Sequence, residues 1–420
     1  MKRYEKNPRY IEFRGKPILV VGSAEHYGAV LNTDFNFGPY LKAMAADKLN
    51  QCRVFSGTYR ELPGEFEIAE NLLAPRPEAF LCPWKKEGDK WNLEKWDEAY
   101  WKRLQKFVRE AGKKRILVEY VLFCAWYNDA LWKASPMHPS NNTHNVGPQD
   151  KSAVYSPTQS ALWPYLEAFV KKAAEVLKPF DNVYFELINE PYFDSPYEKI
   201  SVFQGRVAEV LQSVAPEKLV ALNFNNRTGA IPSLHPHIGI VNFHYAIPEA
   251  VQLNAHLGVV LADDETGFAG QSAEPYRKEA WNFLMSGGAM FSHLDYSFTL
   301  AHPDGTAPIT GKTPGSGGVA LRRQLGFLRA FLEKAAPWAL APQKTSIPVL
   351  ADAERGVYVA YFEKKERVEL AVPAGKYTLR WFDTVACQEL ATETLVHAGG
   401  MLTLTPSSDE AALTLTRRKP

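Results

Sequence analysis

Short apolar segments alternate with longer amphipathic segments over the first 342 residues of the chain. Several of the short segments are apolar on both faces, which is typical of parallel strands that helices cover. The pattern predicts strands at Ile18–Gly22, Gln51–Phe55, Ile116–Phe123, Val183–Ile188, Leu219–Leu222, Ile240–Phe243, Val259–Ala262 and Ala289–Phe291. It predicts helices between them at Glu94–Gly112, Gln159–Lys178, Glu198–Val214, Glu274–Met285 and Val319–Ala335. Strands that alternate with helices in this way indicate an α/β fold.

A (β/α)8 TIM barrel is the α/β arrangement that this alternation favours, because the number of strands matches. The competing arrangement is a doubly wound open sheet, which normally carries a glycine-rich phosphate turn after its first strand. After Val21 the chain reads GSAEHYG, which lacks that turn. A hairpin at Tyr10–Phe13 and Lys16–Pro17 precedes the first strand and is expected to plug the floor of the barrel.

The pattern of apolar and polar residues changes after Pro342. Short, often alternating apolar segments are separated by Gly, Pro and charged turns, which predicts a small antiparallel, sandwich-like all-β domain. Its predicted strands are Val357–Phe362, Val368–Val372, Tyr377–Asp383, Leu390–His397, Leu402–Thr405 and Ala412–Thr416. We therefore expect a catalytic barrel with its N-terminal hairpin over residues 1–342 and a β domain over residues 343–420.

The composition and charge of the chain limit the kinds of molecule that it is expected to bind. The 420 residues are 46% hydrophobic and 23% charged, close to globular averages, and 48 Lys and Arg balance 47 Asp and Glu. A net charge of +1 gives no sign of a nucleic-acid partner, and no apolar stretch is long enough for a membrane span. No apolar leader follows the basic N-terminus, so we expect a cytoplasmic protein, or a secreted one if a leader has been removed. The oligomeric state is left open.

Two carboxylates follow predicted strands at the end where TIM barrels carry their active sites. Glu190 comes just after the fourth strand, and Glu265 comes just after the seventh. A single glutamate there could be a solubilising strand end, but two on opposing strands favour function. Facing carboxylates suit cleavage of a glycosidic bond, in which one group attacks the anomeric carbon and the other protonates the leaving oxygen. Asn189, beside Glu190, is a candidate partner for the sugar 2-hydroxyl.

The motif Leu-Ile-Asn-Glu-Pro at 187–191 and the Glu-Thr-Gly at 265–267 resemble the clan A glycoside hydrolases, most closely the family 5 cellulases and mannanases. The resemblance implies that Glu190 is the acid/base and Glu265 the nucleophile. It also implies that Arg53, on the second strand, steadies the nucleophile. His244 and Tyr245 occupy the place where the clan commonly carries a His and a Tyr around the nucleophile and the first sugar.

Further candidates lie at other strand ends. The clan often has a Trp ending its eighth strand, and this sequence has none there, so His293 and Asp295 are expected to contact the sugar instead. His26 follows the first strand and is expected to line the site. Trp126, with Tyr127 and Trp132, opens a long loop that is a candidate sugar-stacking wall. For each of them a structural role is the alternative, and for Arg53 it is an ion pair inside the barrel.

The sequence as a whole predicts a retaining β-glycoside hydrolase that cleaves a β-linked oligo- or polysaccharide by double displacement. Long segments after the second, third and eighth strands favour a closed pocket and exo action. The alternatives are an endo-acting β-glucanase or mannanase, a transglycosylase and a non-catalytic carbohydrate-binding barrel. No HExxH, Walker or G-x-S-x-G motif occurs, so neither a metal nor another cofactor is expected.

Overall fold

A computed structural model describes residues 1–70, 72–156 and 160–418. Eight parallel strands close into a barrel in chain order, with the eighth strand pairing with the first. The strands are β1 (Val20–Ala24), β2 (Gln51–Phe55), β3 (Leu117–Cys124), β4 (Val183–Asn189), β5 (Val220–Asn226), β6 (Ile240–His244), β7 (Val260–Glu265) and β8 (Met290–Leu294). The predicted TIM barrel is confirmed, and each predicted strand overlaps an observed one.

The helices that cover the barrel are amphipathic, with their apolar faces on the strands. They are α1 (Phe37–Ala46), α2 (Glu98–Lys113), α3 (Asp129–Ala134), α4 (Trp163–Leu177), α5 (Tyr197–Val214), α6 (Pro248–Asn254), α7 (Glu274–Met285) and α8 (Val319–Ala335). In α2, Asp97 caps the N-terminus by accepting from the backbone N–H of Ala99, and Leu104 and Val108 lie on the buried face. In the described part of the chain, no helix is long and apolar enough to cross a bilayer.

Differences between predicted and observed helices have local causes. The helix predicted from Gln159 starts at Trp163, and Gln159 itself lies outside the described residues. Helices α1, α3 and α6 were not predicted. Pro39 lies in the first turn of α1, where a missing N–H costs nothing, so proline is compatible with that helix. Residues 227–239 join β5 to β6 as a loop without a helix.

The register of the strands places the candidate residues at one end of the barrel. His244, the last residue of β6, pairs with Glu265, the last residue of β7. Cys124 at the end of β3 pairs with Asn189 at the end of β4. Because all eight strands are parallel, these ends meet at a single mouth.

The N-terminal hairpin closes the opposite end. Ile11–Phe13 pairs with Lys16–Ile18 through a turn at Arg14 and Gly15, whose φ angles of 50° and 77° fit a tight hairpin turn. The guanidinium of Arg14 donates to the carboxylate of Asp181, which precedes β4, with Nε 2.7 Å from Oδ2. The hairpin therefore lies at the amino ends of the strands, away from the mouth.

An all-β unit follows the barrel, as predicted. Its strands are β9 (Ala341–Pro342), β10 (Val349–Asp352), β11 (Val357–Phe362), β12 (Val368–Val372), β13 (Gly375–Asp383), β14 (Gln388–His397), β15 (Gly400–Leu404) and β16 (Ala411–Arg417). They form a six-stranded sheet in the order β9-β10-β11-β16-β13-β14 and a two-stranded sheet of β12 and β15. The two sheets enclose a small hydrophobic core. The first strand, at Ala341–Pro342, begins just before the predicted domain boundary.

One face of the six-stranded sheet packs against the barrel helices α7 and α8. Trp281 of α7 stacks on Tyr361 of β11 with ring centroids 4.8 Å apart and planes inclined by 11°. Arg277 of α7 binds both carboxylate oxygens of Glu410 at 2.7 and 2.8 Å. The sheet and the barrel therefore share one apolar core, to which Val359, Tyr361 and Ala412 contribute.

This shared core predicts the effect of removing its largest ring. Trp281 is fully buried, so Trp281→Ala leaves a cavity and is expected to lower the free energy of unfolding by about 3–5 kcal/mol. The measurement is chemical denaturation followed by circular dichroism. The control is Val396→Ala, at a side chain that is 78% exposed, with an expected change within about 0.5 kcal/mol. Equal stability of the two variants would show that this face of the sheet does not support the barrel.

Candidate active site

Two glutamates from opposing strands meet at the mouth of the barrel. A carboxylate oxygen of Glu190, a ring nitrogen of His244 and a carboxylate oxygen of Glu265 all lie within 4.8 Å of one another. Glu190 is 7% and Glu265 5% exposed. Both line a pocket of about 340 Å³, together with Asn189 and Tyr245. The structure thus brings together the two carboxylates that the strand ends suggested.

Glu265 is held by three donors. Arg53 donates from Nη1 to Oε2 at 2.8 Å, Tyr27 donates its hydroxyl to the same oxygen, and Tyr245 donates to Oε1 at 3.1 Å. Burial opposes ionisation, but the charges of His244 and Arg53 outweigh it and hold the pKa of Glu265 below its usual range. Glu265 is therefore an ionised carboxylate at neutral pH, as a nucleophile must be.

Arg53 lies beneath the pocket and binds Glu265 from below. It is 1% exposed, and its Nη2 donates to Glu186 at 2.6 Å and to Asn189 at 2.8 Å. Its Nε lies 3.4 Å from Glu119. Arg53 therefore forms ion pairs inside the barrel, and one of its partners is the pocket residue Glu265. Because Arg53 does not line the pocket, it is a positioning residue.

The carboxylates of Glu119, Glu186 and Asp264 also lie within 4.8 Å of one another, a spacing that a metal ion would accept. The guanidinium of Arg53 already contacts all three. Burial and the neighbouring charge of Asp264 raise the pKa of Glu119 well above its usual range, so this group carries a proton. Burial likewise raises the pKa of Glu186 to about 7. These three carboxylates therefore bind the guanidinium of Arg53, and the protonated Glu119 makes them a poor ligand set for a divalent metal ion.

His244 lies between the two glutamates and is fully buried. Its Nδ1 is 3.0 Å from Glu190 Oε1 and 3.5 Å from Glu265 Oε1, and its Nε2 is 3.3 Å from Asp264 Oδ1. Burial lowers the pKa of the ring, but the carboxylates of Glu265 and Asp264 raise it well above its usual value. The ring is an imidazolium with a carboxylate at each nitrogen, so it donates protons in hydrogen bonds and offers no lone pair to a metal.

Glu190 is held mainly by tyrosines. Tyr127 donates its hydroxyl to Oε2 at 2.7 Å, and Tyr192 donates to Oε1 at 3.1 Å. The backbone N–H of Glu190 donates to Asn223 Oδ1 at 2.9 Å. Asn189 links the two halves of the site, because its side-chain amide donates to the Tyr127 hydroxyl at 2.9 Å and its oxygen accepts from Arg53.

The backbone is strained where the chain turns into the site. Glu190 has φ 49°, and Tyr27, Tyr127 and Tyr245 have φ angles of 64°, 55° and 52°. Each of these residues follows a barrel strand within three positions. Left-handed backbone is costly for bulky side chains and persists where the surrounding structure enforces it, often at functional sites. The four residues reach their carboxylates or hydroxyls into the pocket through these turns.

His26 lines the pocket on the side of Tyr27, as expected. Its Nδ1 lies 2.6 Å from Oε2 of Glu61, and both side chains are nearly buried. The ring packs between Tyr27, at a centroid distance of 4.5 Å, and Tyr296, at 5.8 Å. Burial lowers the pKa of this histidine. The carboxylates around it, Glu61 first, raise the pKa by more, so it lies above the usual value. This pair of side chains thus forms part of the pocket wall.

Three predicted substrate contacts are wrong. Trp126 is fully buried in its own loop, with its ring 4.7 Å from Trp132, and does not line the pocket. His293 faces outward from β8 and packs on Tyr276 of α7 at 4.6 Å. Asp295 accepts from Arg322 of α8 at 2.8 Å and is 1% exposed. These side chains stabilise the loop and the strand–helix layer.

Sequence reasoning missed the hydroxyls that hold the two glutamates. Tyr27 and Tyr192 were not singled out, and Tyr127 was considered only as part of a stacking wall. Their common signal is a tyrosine within three residues after a barrel strand, at the end where the carboxylates lie. That signal becomes specific only when the turns that carry these residues are known.

Comparisons with known proteins identify solved structures that have a similar fold. No family model and no curated protein matches the sequence. Among solved structures, a glycoside hydrolase family 5 protein from Bacteroides vulgatus ATCC 8482 is 11% identical, with a TM-score of 0.67 over 99% of this chain and 92% of that one. The endo-1,4-β-mannanase from Rhizomucor miehei is 12% identical, with a TM-score of 0.56 over 77% and 98%.

An exo-β-1,4-mannosidase from Opitutaceae bacterium strain TAV5 is 14% identical, with a TM-score of 0.50 over 80% of this chain and 63% of that one. At these identities the similarity is one of fold. The resemblance that the strand-end motifs carried is therefore confirmed at that level: the chain has the fold of glycoside hydrolase family 5 structures.

Proposed function

We propose that the protein is a retaining β-glycoside hydrolase. The observation that carries this proposal is the approach of Glu190 and Glu265, whose carboxylate oxygens lie within 4.8 Å. Retaining glycosidases hold their carboxyl groups about 5–5.5 Å apart, whereas inverting enzymes leave about 6.5–9.5 Å for a water molecule. The short separation supports direct attack by one carboxylate on the sugar.

The surroundings of Glu265 support its role as the nucleophile, which leaves Glu190 as the acid/base. Glu265, held ionised by His244 and Arg53, attacks the anomeric carbon and forms a covalent glycosyl–enzyme. Glu190 gives its proton to the departing glycosidic oxygen as that bond breaks. In the second step Glu190 takes a proton from water, whose oxygen attacks the anomeric carbon and displaces Glu265. Two inversions leave the configuration of the sugar unchanged.

Exo action on a β-linked oligo- or polysaccharide is the mode that the pocket favours. The two glutamates lie in a pocket where each is less than a tenth exposed. The pair of His26 and Glu61 forms a wall of the pocket beside Tyr27, which donates to Glu265. A wall on that side supports binding of a chain end. An endo-acting enzyme would need an open path there.

The first test compares Glu265→Ala and Glu190→Gln on a panel of aryl β-glycosides. Glu265→Ala is expected to lose at least a thousandfold in kcat with every leaving group, because it removes the attacking group. Glu190→Gln removes the proton donor of the first step, so its loss in kcat/KM, which reports that step, should be about 10²–10⁴-fold with a poor leaving group and much smaller with dinitrophenol. The measurement is steady-state release of the phenol.

Two outcomes of this test would contradict the proposal. If the wild type turns over none of the panel while sugar affinity survives both substitutions, the protein is a carbohydrate-binding barrel. If Glu190→Gln loses the same factor with good and poor leaving groups, Glu190 is not the proton donor.

The second test concerns the pH profile of kcat/KM. Activity requires ionised Glu265 and is lost as the pH falls through its pKa, which the structure holds below the usual value of about 4.3. Tyr27→Phe keeps the ring stacked on Phe55 but removes a hydrogen bond to the ionised form. The acidic limb is therefore expected to move to higher pH, with a loss of about tenfold to a hundredfold in kcat/KM.

Tyr120→Phe is the matched control, because Tyr120 is a buried barrel tyrosine whose hydroxyl pairs with Tyr100 away from the pocket. Its acidic limb should coincide with that of the wild type. An acidic limb of Tyr27→Phe that also coincides with the wild type would refute the proposed control of Glu265 by Tyr27.

A further inference from the structure

The pocket has two chemically unlike sides. On the side of the nucleophile lie the charged pair of His26 and Glu61 and the hydroxyl of Tyr27. On the side of the acid/base lie Phe66 and Phe193, which carry no hydrogen-bonding group in their side chains. The two phenylalanines pack on either side of one residue, Tyr127.

Both phenylalanine rings are tied to the acid/base through Tyr127. The ring of Phe66 lies 4.9 Å from that of Tyr127, nearly perpendicular to it, and the ring of Phe193 lies 5.4 Å away. Tyr127 itself donates to Glu190. The acid/base protonates the leaving oxygen, so the group attached to that oxygen must lie beside Glu190. Phe66 and Phe193 therefore flank the aglycone.

Phe193 is exposed to solvent, and Phe66 is partly buried on a strained turn. Phe193 is 54% exposed, an unusual state for a large apolar side chain next to a buried site. Phe66 and its neighbour Glu67 have φ angles of 57° and 60°, so the turn that carries the ring is strained. Asn128 fixes this turn by donating to Oε2 of Glu65 at 2.8 Å. A strained, fixed turn that holds an apolar ring at the mouth indicates a binding surface.

Few polar groups lie on this side. Asn226 lines the pocket there, and its side-chain amide is hydrogen-bonded to the hydroxyl of Tyr192. No Lys or Arg occurs among the described residues that line the pocket, so nothing there favours an anionic leaving group. A sugar in this position would have several hydroxyls to pair, whereas a flat apolar group would be matched by the two rings.

We propose, on the basis of the glycosidase function proposed above, that the substrate is a β-glycoside with an apolar, ring-shaped aglycone. Phe66 and Phe193 hold that aglycone beside Glu190, while the glycone lies against His26, Glu61 and Tyr27. The enzyme removes a sugar from an apolar alcohol more efficiently than it removes the same sugar from another sugar.

The experiment compares three substrates with one glycone: the benzyl β-glycoside, the β-linked disaccharide and the β-glycosyl fluoride. Benzyl alcohol and a sugar hydroxyl are both alcohol leaving groups, so the comparison reports aglycone binding. The fluoride has no aglycone and reports folding and chemistry. Wild-type kcat/KM is expected to be at least about tenfold higher for the benzyl glycoside than for the disaccharide.

Phe66→Ala and Phe193→Ala should each lose about tenfold more kcat/KM on the benzyl glycoside than on the fluoride. Phe66→Leu should recover part of that loss because it restores apolar contact. Phe268→Ala is the matched control: this ring is 40% exposed and lies on the other side of the pocket, 6.3 Å from Tyr245. It should change both substrates by the same factor.

Two results would overturn the inference. One is a wild-type preference for the disaccharide, and the other is an equal loss on disaccharide and benzyl glycoside in Phe66→Ala and Phe193→Ala, which would mean that the rings stack on a sugar. Both presuppose turnover of the fluoride. If neither the glycosyl fluoride nor any member of the aryl β-glycoside panel is hydrolysed, the glycosidase function itself fails, and that outcome is distinct.

Discussion

Two buried cations allow carboxylates to crowd the centre of this barrel. Ionised carboxylates as close as Glu190 and Glu265 would repel each other by about 3 kcal/mol at an effective dielectric constant of about 20. The imidazolium of His244 lies between them, and the guanidinium of Arg53 binds Glu265 from beneath. Removing either cation would leave buried charge without a partner, which is far more costly than removing the whole cluster. The catalytic geometry therefore depends on these two side chains.

The same cluster gives the two glutamates different surroundings. Cations and the Tyr27 hydroxyl surround Glu265, and each of them favours its ionised form. Tyrosine hydroxyls surround Glu190, with a single edge of the His244 ring. Two identical side chains in unlike surroundings are the usual means by which one site supplies both a nucleophile and a proton donor. Strained turns after the strands hold these surroundings in place, and burial in the pocket excludes water from them.

The barrel and the two pocket glutamates could be predicted from the sequence. The parts of the site that could not be predicted were missed for physical reasons. The barrel strands were predictable because their apolar runs are buried on both faces. Glu190 and Glu265 were predictable because each lies within three residues after such a run, and the resemblance to clan A selects Glu265 over Asp263 and Asp264, which precede it. The wrong assignments of His293 and Asp295 concern direction. Successive side chains of a strand point to opposite faces, so position near the mouth does not say which residue faces it. His293 packs on Tyr276 of α7, and Asp295, just after β8, accepts a hydrogen bond from Arg322 of α8. Tyr27 and Tyr127 reach the glutamates through left-handed turns, and the presence of a tyrosine in the sequence does not predict such a turn.

The proposed function requires that Glu265 forms a covalent bond to the sugar and that Glu190 donates and then accepts the proton. The most direct measurement is to trap that intermediate with 2-deoxy-2-fluoro-β-glycosyl fluorides, in which fluorine slows the second step, and to locate the label by peptide mass spectrometry. The account predicts time-dependent inactivation with the sugar attached to Glu265. A label on Asp263, Asp264 or Glu190, or an enzyme that hydrolyses the parent glycosyl fluoride yet is never labelled, would contradict it.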